Sequence, residues 1–190
     1  MKRKLLPVVA LVVAAAVLPA SAGAQMVPYV GGGISTGTGD FGDYTDNGWT
    51  VFAGVVIPIA SYPGLGLNLS AAYSRFNHKE GEGATNVPQA MVGLEYLMNA
   101  AGPGMVKPFV GAAVGALQHR YDPGGTGYSS ESETKFAAGA GAGLNFVMQS
   151  FTPFVGAYYT YAEDTSFMTF YAGVGFSGSG AGNAIRFLRR

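Results

Sequence analysis

An eight-stranded antiparallel up-and-down transmembrane β-barrel is the all-β fold that this sequence predicts, and three observations carry it. Apolar residues alternate with small or polar ones at period two in eight separate runs. The runs reach the ~9–11 residues that a tilted strand needs to cross a bilayer, whereas strands of soluble proteins are nearer 5–6. Ten of the 11 carboxylates fall between runs, and only at every second connection. Alternate connections of an up-and-down sheet lie at opposite ends, so one end is acidic and the other is not.

The first run covers 26–35 and the second 49–59, where Trp49, Val51, Ala53, Val55 and Ile57 share one face opposite Thr50, Phe52 and Gly54. The third, 65–76, is the clearest: Leu65, Leu67, Leu69, Ala71 and Tyr73 oppose Gly66, Asn68, Ser70, Ala72 and Ser74. In the fourth, 87–98, Ala90, Val92, Leu94 and Tyr96 oppose Gln89, Met91, Gly93 and Glu95. The fifth, 107–119, sets Val110, Ala112, Val114 and Ala116 against Phe109, Gly111, Ala113 and Gly115. The sixth, 135–148, sets Phe136, Ala138, Ala140, Ala142 and Leu144 against Lys135, Gly139, Gly141, Gly143 and Asn145. The seventh, 152–162, turns Val155, Ala157, Tyr159 and Tyr161 away from Gly156, Tyr158 and Thr160. The eighth, 167–177, turns Phe170, Ala172, Val174 and Phe176 away from Tyr171, Gly173 and Gly175.

The greasy face of each run is expected to meet lipid, with Tyr or Trp near run ends as an interfacial girdle. The small and polar face then lines a narrow interior. Glycine weakens an ordinary strand, so 30 of them need a reason. Inward glycines make room for Phe52, Phe109, Tyr158 and Tyr171 on neighbouring strands, because eight strands enclose a space just wide enough for side chains.

The connections sort by length and charge. Those at 60–64, 99–104 and 149–150 are compact and free of carboxylate. Those at 36–48, 77–86 and 120–132 are longer and polar, with a brief one at 163–166. Short turns on the periplasmic side and longer loops outside are the pattern of bacterial outer-membrane barrels.

The chain opens with Met1-Lys2-Arg3-Lys4, then an apolar stretch to Leu18, Pro19 and the small-residue site Ala22-Gly23-Ala24. Residues 1–24 are therefore expected to be a cleaved export signal, with Gln25 first in the mature protein. The barrel is assigned to 25–177 and a short periplasmic C-terminal tail to 178–190. No stretch is apolar for 18 residues, which excludes a helical span. With no cysteine there is no disulfide or thiolate metal site, and a zero net charge leaves no footprint for nucleic acid.

Two phrases repeat, Pro108-Phe109-Val110-Gly111-Ala112 and Pro153-Phe154-Val155-Gly156-Ala157, each opening a strand after a short turn. The last run, Thr169-Phe170-Tyr171-Ala172-Gly173-Val174-Gly175-Phe176, ends on an aromatic. In these features the chain resembles the small eight-stranded outer-membrane barrels of the OmpA/OmpX-like superfamily (outer membrane protein beta-barrel domain) over 25–177. The resemblance implies residence in the bacterial outer membrane and recognition of the last strand by the barrel assembly machinery. It implies a structural or surface-interaction role that is not enzymatic. Outer-membrane lipid and lipopolysaccharide are the expected partners, with an extracellular ligand at the acidic loops a further one. A narrow pore for ions or small solutes is the first alternative.

A lipid A-modifying enzyme is the second alternative, since some eight-stranded barrels are deacylases or palmitoyltransferases. Such chemistry needs a nucleophile and a base within hydrogen-bond reach. Only His78 and His119 offer an imidazole, and His119-Arg120-Tyr121 lacks the His-x-Ser spacing of the deacylases. No catalytic residue, cofactor or metal is assigned. Asp40, Asp43 and Asp46 lack the spacing of a calcium loop. Glu95, Lys107, Lys135 and Asn145 are the expected polar residues of the lumen, with Glu95 and Lys107 a candidate internal ion pair. Arg75 and Arg120, near the outer ends of their strands, are the candidate contacts to lipid headgroups.

Overall fold

The computed structural model of the chain describes residues 26–79, 83–98, 105–123, 131–148 and 150–176. The proposed signal at 1–24, the tail at 178–190, and Glu80 and Glu82 lie outside them. The strands are β1 (Val27–Thr38), β2 (Gly48–Pro58), β3 (Leu65–Asn77), β4 (Ala84–Leu97), β5 (Val106–Asp122), β6 (Glu131–Phe146), β7 (Phe151–Ala162) and β8 (Ser166–Phe176). One short helix, α1 (Asp40–Tyr44), sits in the first long connection. Every strand pairs antiparallel with its neighbours in sequence, and β1 closes on β8 from Tyr29↔Gly175 to Thr38↔Ser166. Closure leaves no edge strand, which is the condition for a sheet to exist in hydrocarbon.

All eight runs are strands. β5 and β6 extend further than their periodicity suggested, because pairing continues to Arg120↔Ser132 and Tyr121↔Glu131. Asp122, Glu131 and Glu133 thus end or begin strands rather than sitting in a loop. Between β4 and β5 the register is kept from Ala84↔Asp122 to Leu97↔Phe109, but Val87 and Pro88 are passed over. Pro88 has no N–H to give to the ladder.

The pleat points as expected. Phe136 is 70% and Phe170 61% exposed on the outer face, while Phe76 and Phe167 are 0% exposed within. The lumen glycines are spaces for rings. A Cβ at Gly31 would fall 2.3 Å from Cζ of Phe52, one at Gly173 equally close to Cζ of Phe154, and one at Gly141 2.5 Å from Cδ2 of Tyr158. Each ring lies flat across the bare backbone of the next strand. The β2–β3 turn needs glycine for another reason: Gly64 has φ of +88° and its carbonyl accepts from Leu97 N–H at 2.8 Å.

Gly141→Val and Ala140→Val add carbon at adjacent positions on opposite faces. The first is expected to lower unfolding stability by ~1–3 kcal/mol through overpacking. The second, exposed on the outer face, is expected to stay within ~0.5 kcal/mol. Urea unfolding from lipid vesicles measures both, and a larger loss from Ala140→Val would mean that the faces are assigned the wrong way round.

Candidate functional site

The interior is layered along the barrel axis. At the acidic end, α1 folds inward from its loop and places Phe41 over the mouth. Gly39 enters the helix at φ +57°, and the Thr45 hydroxyl donates to Phe41 O at 2.5 Å at its other end. Gly42 rests directly on Gly37 of β1, leaving no room for a side chain. The loop is then stitched to the end of β3: Asp46 N–H donates to Asn77 O at 2.8 Å, Lys79 N–H to Tyr44 O at 3.0 Å, and Lys79 Nζ to Gly42 O at 2.7 Å.

Phe41 is 1% exposed and meets Phe76 edge-on at 4.9 Å between ring centres, with Phe167 at 6.5 Å. Val87, Met91, Leu117, Ala137 and Ala162 complete an apolar cluster at this end of the lumen.

Around the plug stands a polar rim. Lys135 Nζ pairs with Glu133 at 3.4 Å and Asp164 at 3.3 Å, and donates to Glu163 O at 3.0 Å. These contacts tie β6 to the β7–β8 turn, where Asp164 itself takes a φ of 56°. His119 Nδ1 lies 2.8 Å from the Thr165 hydroxyl, and its ring meets Phe41 edge-on. His78 Nε2 lies 2.9 Å from the Thr85 hydroxyl, and its ring stacks on Tyr121 with centres 5.0 Å apart. Burial in that stack holds the His78 pKa below its ordinary 6.5.

Beneath the plug, a string of hydroxyls crosses four strands. Ser35 joins Thr50 at 2.5 Å and Thr169 at 2.8 Å, and Thr50 joins Ser74 at 2.7 Å. Below this string lies a cavity of about 230 Å³ that reaches the strand ends on the short-turn side. Tyr29, Phe52, Phe154 and Tyr171 form one wall, with Phe52 and Tyr171 edge-on at 5.4 Å and Tyr29 and Phe154 at 5.9 Å. From this wall Tyr29 Oη donates to Asn68 Oδ1 of β3 at 2.8 Å, and Asn68 Nδ2 donates to Glu95 Oε2 of β4 at 3.2 Å.

The residues singled out in the sequence are therefore dispersed. Glu95 and Asn145 line the cavity. Lys107 is buried, at 8% exposure, but it does not pair with Glu95: the ion pairs among the described residues are both made by Lys135. The register explains the correction. Glu95 faces Gly111, and Lys107 lies four residues nearer the turn, about 13 Å along the strand. Lys135 has the inward phase but belongs to the rim, since it precedes Ala137, the plug residue of β6, on a strand that starts at the acidic end. Arg75 is exposed on the outward phase of β3 beside Trp49, and Arg120 has the outward phase of β5 beside Asn86. Asp40, Asp43 and Asp46 are exposed on the first loop. No three His, Asp or Glu side chains converge as a metal site among the described residues.

Two features escaped the reading of the sequence. Phe41 was hidden in a loop judged by its carboxylates, although Phe41-x-x-Tyr44 between glycines is an apolar pair in a polar segment. Tyr29 and Phe154 could have been found by extending the inward phase of the first and seventh runs.

The family described as "Outer membrane protein beta-barrel domain" matches residues 8–180. No curated protein matches the chain. Among solved structures, Neisserial surface protein A is similar at a TM-score of 0.64 and 16% identity, covering 82% of this chain and 99% of that one. Ail, the attachment invasion locus protein of Yersinia pestis, has a TM-score of 0.54 at 20% identity, covering 80% and 97%. It has also been solved in complex with the heparin analogue sucrose octasulfate. OprG from Pseudomonas aeruginosa has a TM-score of 0.54 at 12% identity, covering 82% and 97%. At such identities the likeness is one of fold.

The rim makes a prediction about acidity. His78 favours its neutral form when docked, so the unfolded chain binds a proton more readily below pH 6.5. Its contribution to stability is full above that pH and declines as pH falls toward the lowered value. The melting temperature in detergent is expected to drop from pH 7.5 to pH 5, with His78→Gln removing part of the drop. An unchanged pH profile in the variant would exclude His78 as a source.

Proposed function

Because this chain belongs to the outer membrane protein beta-barrel domain family, we propose that it acts as a closed, non-enzymatic envelope protein that meets its partners at the outer rim. It is a barrel of the bacterial outer membrane. Residues 1–24 are a cleaved export signal in this reading, 25–177 the inserted barrel and 178–190 a periplasmic tail. The single observation that carries the reading is the apolar plug of Phe41, Phe76 and Phe167 across the outer mouth. A pore would need that level wet.

The imidazoles support the same reading. Each is spent on a buried threonine, Thr85 at 0% and Thr165 at 1% exposure, where no lipid acyl group can reach the hydroxyl. Arg75 and Arg120 have the outward phase near the acidic ends of β3 and β5, and in this reading they meet lipopolysaccharide phosphates. A guanidinium suits phosphate through its planar fork of donors. The exposed carboxylates of the first loop remain available to an extracellular ligand, and the barrel assembly machinery handles the last strand during insertion.

In planar bilayers the native protein is expected to carry no steady current, and Phe41→Ala with Phe76→Ala to admit fluctuating conductance. Steady conductance of the native barrel would establish the pore instead. In a separate measurement, Arg75→Ser with Arg120→Ser is expected to weaken lipopolysaccharide binding about fivefold per arginine, from ~1 kcal/mol each. Sucrose octasulfate serves as a soluble polyanion control. Unaltered lipopolysaccharide affinity would remove both arginines from the interface.

A further inference from the structure

The geometry points to the lower lumen as a binding site, open toward the periplasm, for a small organic ammonium ion carrying an apolar body. This goes beyond a surface role and uses residues that the role leaves idle.

Four features converge. The cavity of about 230 Å³ reaches the short-turn end at Val27, Leu65 and Leu97, and at its other end it meets the apolar plug at Met91. It lies just under the ~300–1,000 Å³ range of ligand pockets, which sets a ligand smaller than a drug. Its walls are mainly apolar, yet Glu95 stands on them, two residues inside the last residue of β4. Glu95 has one hydrogen bond, from Asn68, and no cation within ion-pair distance among the described residues.

The orientation of the pair is itself held. The Tyr29 hydroxyl donates to the Asn68 oxygen, which turns the Asn68 amide nitrogen toward Glu95 and leaves the other carboxylate oxygen available. A carboxylate facing apolar walls is poorly solvated, so a cation brought beside it gains more than it would in water. Tyr29, Phe52, Phe154 and Tyr171 supply the complementary surface. Their faces attract a cation through the ring quadrupole, and they cover the apolar part of the same ligand. A carboxylate beside several rings selects against anions and against ammonium ions without an apolar body. Lys107, the nearest inward cation on β5, is not among the cavity-lining residues.

The experiment uses the full mature chain folded in phosphatidylcholine nanodiscs, with empty nanodiscs subtracted. Phenethylammonium is the probe, phenylacetate its anionic counterpart and 2-phenylethanol its neutral one, followed by ligand-observed NMR titration. The native barrel is expected to bind phenethylammonium at least tenfold more tightly than either counterpart. Glu95→Gln, which keeps the shape and the hydrogen bond, should erase that preference. Ala72→Phe, which fills the cavity from its wall and leaves Glu95 in place, should abolish binding of all three. Heat-modifiable gel mobility checks that both variants are folded. Absence of binding to the native barrel overturns the proposal. So does an ammonium preference that survives Glu95→Gln, or binding that survives Ala72→Phe.

Discussion

Closure of the sheet on itself is the constraint from which everything else in this barrel descends. Hydrocarbon offers no partner to a backbone N–H or C=O, so β1 must find β8 and every strand must be paired along its length. Eight strands enclose little volume. A ring on one strand can therefore enter only where the neighbouring strand carries no side chain. The pairing of Gly31 with Phe52, Gly141 with Tyr158 and Gly173 with Phe154 is that rule written in residues. The glycines weaken each strand locally, and the rings laid over them restore contact.

The same constraint divides the interior in two. Above the hydroxyl string, strands contribute Phe76, Val87, Leu117 and Phe167, and the first loop adds Phe41 to close the mouth. Below it, β5 and β6 carry small residues at Gly111, Ala113 and Gly141, and a recess remains beside the rings of β1, β2, β7 and β8. Apolar packing thus occupies the acidic end while an apolar recess with one carboxylate lies toward the other. The outer seal does not depend on strand pairing alone. It depends on α1 lying close against Gly37 and on the Lys79 and Asp46 bonds that hold the first loop to β3.

The recess and the seal also separate two kinds of charge. Lys135 spends its charge on Glu133 and Asp164 at the rim, where water screens the cluster and its role is to position a turn. Glu95 meets only an amide, in surroundings where screening is poor. The two lumen charges anticipated as a pair, Glu95 and Lys107, are separated by register, which a strand's own sequence does not set.

Much of this molecule was written locally. Period-two alternation determined the strand count, which face meets lipid, and that small residues would stand opposite Phe52, Phe109, Tyr158 and Tyr171. Carboxylate position determined that the two ends of the barrel differ in charge. These follow from the chain because a strand's two faces are defined by its neighbours one residue away. The tertiary structure alone decided how far β5 and β6 climb together, that Lys135 reaches the rim and not the lumen, and that Phe41 turns in to seal it. Those outcomes rest on inter-strand stagger and on a loop folding back over the mouth. Both join residues that are distant in sequence, and no local period records them.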